Sequence, residues 1–131
     1  MKIAVASPNY PHSIEDALNQ IDRLTHTAAQ QGAGIICFPE TYIPGYPLPG
    51  EPPVRLPKDR LEKALESARS IAAEHKVAII LPMDWYEGEM FLNVAQVISP
   101  SGEWLGYQAK VQLDPSEDTI WDAGKGRRVE R

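Results

Sequence analysis

Glu40, Lys110 and Glu117 are the residues of this sequence whose types and placement could carry acid–base chemistry. Glu40 closes the apolar run Gly34–Pro39, and ligands of open α/β sheets gather at the carboxyl ends of strands. With Phe38 and Pro39 before it, its carboxylate is expected in a partly desolvated place, the setting that suits a general base. Lys110 lies in the strand pattern Trp104–Val111, where a cation could steady an oxyanion or a carboxylate. Glu117 comes seven residues later, in Pro115-Ser116-Glu117-Asp118. Each has a plain alternative. Glu40 and Glu117 read equally as solvated loop acids, and Lys110 as an edge-strand lysine that discourages sheet-to-sheet aggregation. The one cysteine, Cys37, falls on the opposite side of the strand alternation from Phe38 and Glu40. No cation flanks it, so a buried, inert thiol is expected. His12, His26 and His75 are scattered without metal-ligand spacing, and Gly124 and Gly126 do not make a phosphate loop. The residues therefore call for no metal and no cofactor.

The elements that must position these side chains follow from hydrophobic periodicity. Ile3–Ala6 is a short buried-strand pattern. Ser13 is placed to cap a helix, with Glu15 and Asp16 at its positive end. Ile14, Ala17, Leu18, Ile21, Leu24 and Ala28 then repeat at helical spacing, and Gly32 stops the helix. Gly34–Pro39 reads as a second strand. Thr41–Pro57 holds six prolines and two glycines and cannot be regular. A second helix buries Leu61, Ala64, Leu65, Ala68, Ile71 and Ala72; strands are expected at Val77–Leu81, Phe91–Ile98 and Trp104–Val111. Ser99-Pro100-Ser101-Gly102 is a hairpin turn between the last two. Early helices crossing between strands imply parallel pairing, and the late hairpin adds antiparallel strands. The result is an α/β domain with a mixed β-sheet.

Composition narrows the partners. Thirteen Lys and Arg against 18 Asp and Glu give a net charge of −5, unsuited to general binding of nucleic acid or anionic membrane. The dense basic run Lys125, Arg127 and Arg128 reads as a solvated tail. No stretch approaches the roughly 18 apolar residues of a membrane span, and a single cysteine suits a reducing compartment, so a cytoplasmic setting is expected.

Taken in order, four segments resemble the nitrilase, or carbon–nitrogen hydrolase, superfamily. Phe38-Pro39-Glu40-Thr41-Tyr42-Ile43-Pro44-Gly45-Tyr46-Pro47 is similar to that family's "FPE" segment in its nitrilase-branch form. Asn93-Val94-Ala95 with Ser99-Pro100-Ser101-Gly102 resembles the strand–turn–strand that leads to its lysine, and Lys110 falls at that lysine. Glu117-Asp118-Thr119-Ile120-Trp121, with Gly124 and Gly126, resembles the segment supplying a second glutamate. Gln108-Ala109 departs from the family's aromatic or histidine followed by arginine. The resemblance implies half of a four-layer αββα sandwich, here residues 1–131, a partial domain that stops before the family's cysteine nucleophile. It implies hydrolysis of a nitrile or amide, with Glu40 as base, Lys110 stabilising the intermediate, Glu117 orienting the site and Tyr42 at the substrate. It implies no cofactor, a small-molecule substrate and a homo-oligomer for the complete protein. Half a sandwich leaves apolar sheet uncovered, so the chain alone is expected to be inactive and poorly soluble, or paired with a partner. A catalytically inactive homologue serving in binding or assembly is the alternative. A flavodoxin-like domain would need a phosphate-binding first turn, and Ser7-Pro8-Asn9-Tyr10-Pro11 offers little toward one.

Overall fold

The computed structural model describes residues 1–126; Arg127 and Arg128, assigned above to a solvated tail, lie outside the described residues. Five strands form one sheet in chain order: β1 Lys2–Val5, β2 Ala33–Cys37, β3 Ala78–Glu87, β4 Met90–Ile98 and β5 Trp104–Ala109. β1, β2 and β3 are parallel, joined through helices α1 (Ile14–Gln30) and α2 (Lys58–His75). β3, β4 and β5 are antiparallel. This is the α/β architecture with a mixed sheet that periodicity predicts.

α1 starts where its cap chemistry dictates. The Ser13 hydroxyl accepts from the Asp16 N–H at 3.0 Å, and Gly32 takes φ 81° just beyond the end. Both helices lie on one face of the sheet. Ala17, Ile21, Leu61, Ala64, Ala68 and Ala72 meet Ile36, Ile79, Leu81 and Met83 in one core, all almost fully buried. The small side chains on α2 let the helix sit close on the strands.

The opposite face is open. Val5 pairs with Cys37, Cys37 with Ile80, and Ile80 with Val97, a row of partners that share one side of the sheet. Among the described residues nothing covers this row at its β1 end, where Ile3 and Val5 are 65% and 82% exposed.

Several boundaries differ from the sequence reading. β3 runs on to Glu87 as the first arm of a β3–β4 hairpin turning at Gly88, although Pro82 and Asp84 interrupt its apolar pattern. β2 ends at Cys37 and β5 at Ala109, so Glu40 and Lys110 both sit past a strand end. Cys37 is half-buried on the open face, not sealed in the core. Thr41–Pro57 is irregular apart from a bridge of Ile43 to Met83.

Candidate active site

Glu40 enters the site because the chain leaves its strand but not the sheet. Phe38 N–H donates to Ile80 C=O and Tyr42 N–H to Pro82 C=O, so residues 38–43 keep tracking β3. Between those anchors Thr41 takes φ 49°, a conformation that costs a β-branched residue energy and is held by its surroundings. The turn overrides strand alternation. Phe38 stays in the helix-covered core, while Glu40 borders a shallow depression with Pro82, Asn93, Ala95 and Gln108, in line with Cys37 on the open face. The expected sharing of a face by Phe38 and Glu40 is therefore wrong, and the carboxylate is 44% exposed instead of desolvated.

Lys110 is fixed through its backbone. Its N–H donates to Asn93 C=O at 2.7 Å, and its C=O accepts from Gly124 N–H at 2.9 Å. A side chain at position 124 would bring its Cβ within 2.7 Å of the Ala109 Cβ, so glycine permits the returning segment to close on the β5 end. From that anchor the Lys110 Nζ reaches Glu40 Oε2 at 2.9 Å and Glu117 Oε1 at 3.2 Å. The hydrogen bond to Glu40 leads in raising the lysine pKa above its ordinary value; partial burial opposes this and the bond to Glu117 adds to it.

Glu117 is not a surface turn acid: its side chain is 4% exposed. It closes the 3-10 turn Pro115–Glu117 through a reciprocal cap. Asp114 accepts from the Ser116 N–H, while Glu117 Oε1 accepts from the Asp114 N–H. Glu117 Oε2 accepts from the Tyr46 hydroxyl at 2.5 Å. Burial would push this carboxyl up, but the hydrogen bonds from Tyr46, Asp114 and Lys110 outweigh it and hold the pKa below the usual range. The same bond to Glu117 is the main reason the Tyr46 pKa rises to about 12, with burial second.

All three predicted residues thus meet. Tyr42 is placed differently. It is 3% exposed, stacks on Phe38 at 5.8 Å, and donates its hydroxyl to Asn9 C=O at 3.4 Å. It lines a cleft of about 290 Å³ together with Glu40 and Tyr46. Sequence reasoning quoted Asn93 and Tyr46 only as parts of longer segments. Asn93 donates its side-chain N–H to Glu40 Oε2 at 2.8 Å, which makes it, with Lys110, a holder of that carboxylate. The Asp114-Pro115-Ser116-Glu117 string is a capping-box pattern, a local signal that could have identified Glu117 as an anchored residue.

Behind the cluster lies a second buried acid. Asp84, 3% exposed, accepts from the Trp121 indole N–H at 2.9 Å. Its backbone N–H donates to Ile43 C=O, and the Trp121 ring lies 5.9 Å from that of Tyr46. Asp84 therefore ties the loop carrying Glu40 to the segment carrying Glu117. Burial pushes its pKa from 3.8 to about 7, against the Trp121 hydrogen bond and the charge of Arg55. Arg55 adds a strap, donating to Ile120 C=O at 3.0 Å with its guanidinium 4.2 Å over the Phe91 ring.

The arrangement offers one exposed carboxylate with a cation against it, a second carboxylate locked behind the cation, and open space in front. That combination suits proton transfer beside a developing negative charge. Comparison with known proteins agrees in kind. The family model described as Carbon-nitrogen hydrolase matches residues 2–131. An arylacetonitrilase of Arthroderma benhamiae is 30% identical over 125 residues, covering 87% of this chain and 36% of its own length. A nitrilase of Bacillus sp. (strain OxB-1) is 26% identical over 124 residues, covering 86% and 37%. The crystal structure of an amidase from Nesterenkonia sp. superposes with a TM-score of 0.85 at 27% identity, covering 96% of this chain and 49% of that one. The chain spans about a third of the length of these curated relatives and half that of the solved amidase. No helix among the described residues is long and apolar enough to cross a membrane.

Proposed function

The chain belongs to the carbon–nitrogen hydrolase family, and from that premise we propose that it carries the acid–base and electrostatic half of a site that hydrolyses a nitrile or amide. The observation that supports this most is the meeting of Glu40, Lys110 and Glu117, with the lysine 2.9 Å and 3.2 Å from the two carboxylates. The 131 residues then form part of a hydrolase domain, and the remainder of that domain covers the open sheet face.

A mutant of the amidase from Nesterenkonia sp. AN1 is described as showing the result of Michael addition of acrylamide at the active-site cysteine. By that likeness the nucleophile is a thiol, and we assign it to a cysteine outside these residues. Cys37 is unsuited, since it sits within β2, hydrogen-bonded into the sheet between β1 and β3, and among the described residues no hydrogen bond or ion pair engages its sulfur. In the proposed reaction the thiol gives its proton to Glu40 as sulfur bonds to the substrate carbon. Lys110 stabilises the negative charge that develops on the substrate heteroatom. Glu40 returns the proton as the C–N bond breaks and ammonia leaves. Water then adds to the thioester, with Glu40 taking its proton, and Glu40 returns that proton to the sulfur as the C–S bond breaks to release a carboxylic acid. A nitrile requires one further addition of water, to the thioimidate, before ammonia can leave. Glu117 holds Lys110 in place and keeps it charged. Tyr42 shapes the wall of the cleft, because its hydroxyl is already engaged by Asn9.

The test is ammonia release by the full-length protein from matched nitriles and amides. Glu40→Gln and Lys110→Met should each lower kcat by about 10²–10⁴-fold while thermal unfolding stays near that of the parent. Turnover unchanged in Glu40→Gln would remove the acid–base assignment. Absence of ammonia release by the parent from either substrate class would favour the reading as a non-catalytic binding or assembly module.

A further inference from the structure

α1 and α2 bring a second cluster of chemistry together, at the other end of the parallel strands from Glu40. Asp22 and His26 stand one turn apart on α1, so their side chains rise from the same strip of helix surface. Glu74 and His75 are the last two residues of α2, three positions before β3 begins. The ligating atoms of Asp22, Glu74 and His75 all lie within 4.8 Å of one another. His75 Nε2 is 2.6 Å from Asp22 Oδ1 and 4.0 Å from Glu74 Oε2. The His26 ring centroid is 5.3 Å from that of His75.

We infer that Asp22, Glu74 and His75 bind a divalent transition-metal ion that clips the two helices together, with water completing its coordination. The spacing fits. Bonds of about 2.0–2.2 Å from nitrogen and oxygen to a tetrahedral ion put its ligands about 3.4 Å apart. Small rotations of Asp22 and Glu74 reach that spacing, and their side chains are 52% and 69% exposed and free to make them. His75 provides the fixed point, at 12% exposure. Electrostatics favour a cation here: two carboxylates face an imidazole at the end of a helix whose free carbonyls carry partial negative charge. The ion would take the place of the direct contact between Asp22 and His75. Imidazole beside carboxylate selects zinc, nickel, cobalt or copper over magnesium, which prefers oxygen alone. The histidine spacing shows no such site along the chain because its donors come from two helices; Asp22 and His75 are 53 residues apart.

The inference is independent of the hydrolase reading, and its test needs no activity. Isothermal titration of the tag-free, full-length protein with zinc or nickel chloride is compared with magnesium chloride, and thermal unfolding is followed in parallel. The parent should bind zinc or nickel saturably and unfold at a higher temperature with the ion, and magnesium should do neither. His75→Ala and Asp22→Ala should each weaken binding by about tenfold or more, the least expected when a ligand itself is lost. His12→Ala and Cys37→Ser should bind as the parent does. Asp22 and His12 lie at the surface, Cys37 and His75 are partly buried, and unfolding of each variant without metal checks that it folds. Absence of saturable binding by the parent, or binding undiminished in His75→Ala, would overturn the site and leave a plain ion pair between the helices.

Discussion

The turn after β2 and the turn after β5 each deliver a glutamate to the same lysine, yet the two carboxylates are held in opposite ways. Glu40 is 44% exposed, and both of its hydrogen bonds, from Asn93 and Lys110, fall on Oε2; its other oxygen accepts none from the described residues. Glu117 is 4% exposed, with Oε1 held by the Asp114 N–H and Lys110 and Oε2 by Tyr46. A carboxylate with a spare oxygen facing space can exchange protons. One saturated by donors and held below its usual pKa cannot, and serves as a fixed counter-charge. On the proposed reading, the difference suits the first turn to reaction and the second to alignment.

Removing each carboxylate tests that contrast most severely. Glu117→Ala strands the Tyr46 hydroxyl, the Asp114 N–H and part of the lysine charge in a buried place, so unfolding in denaturant should show a loss of about 3–4 kcal/mol. Glu40→Ala should cost under about 1 kcal/mol, because its pair with Lys110 is partly exposed and screened by solvent. Equal losses would erase the distinction between the turns.

A pH series sharpens it at the next level. Asp84 titrates near 7 when folded and near 3.8 when unfolded, so the folded state holds an extra proton between those values. Its burial therefore costs nothing below about pH 4, and stability is lost as pH rises toward 7. Asp84→Asn keeps an acceptor for Trp121 and removes the titration. Between pH 5 and pH 8 the parent should lose roughly 2–3 kcal/mol relative to this variant, measured by urea unfolding at both pH values. Parallel curves would mean that Asp84 is not buried as a neutral acid.

A smaller loss than at Glu117 or Asp84 is expected at Tyr46. Tyr46→Phe removes one hydrogen bond to Glu117 but leaves the Asp114 and Lys110 donors, so stability should fall by about 1.5 kcal/mol and turnover should fall less than in Glu40→Gln. A fall in turnover as large as that of Glu40→Gln would make Tyr46 part of the reaction.

The outcome at particular residues separates what is local from what is not. Ser13 and Gly32 bound α1 as their cap chemistry requires, and the apolar spacing of α2 names all six of its buried residues. Gly34–Pro39 and Trp104–Val111 each run past the observed strand ends, because the strand-like pattern continues in the sequence where regular pairing gives way to single hydrogen bonds such as those of Phe38 and Lys110. β3 was read too short, since Pro82 and Asp84 break the apolar run although β4 pairs with both. His26 and His75 looked unrelated because their meeting depends on how α1 packs against α2.

Sequence by itself determined the order of elements and the mixed sheet, and it singled out Glu40, Lys110 and Glu117 as candidates, because capping, periodicity and order of motifs are written in near neighbours. Tertiary structure alone decided which carboxylate is open and which is locked. Burial of Glu117 depends on Tyr46, which is 71 residues away along the chain. The partners of Glu40, Asn93 and Lys110, lie 53 and 70 residues away. Solvent access and hydrogen-bond saturation are properties of what surrounds a side chain, and those surroundings exist only once the sheet has formed and both turns have closed on its end.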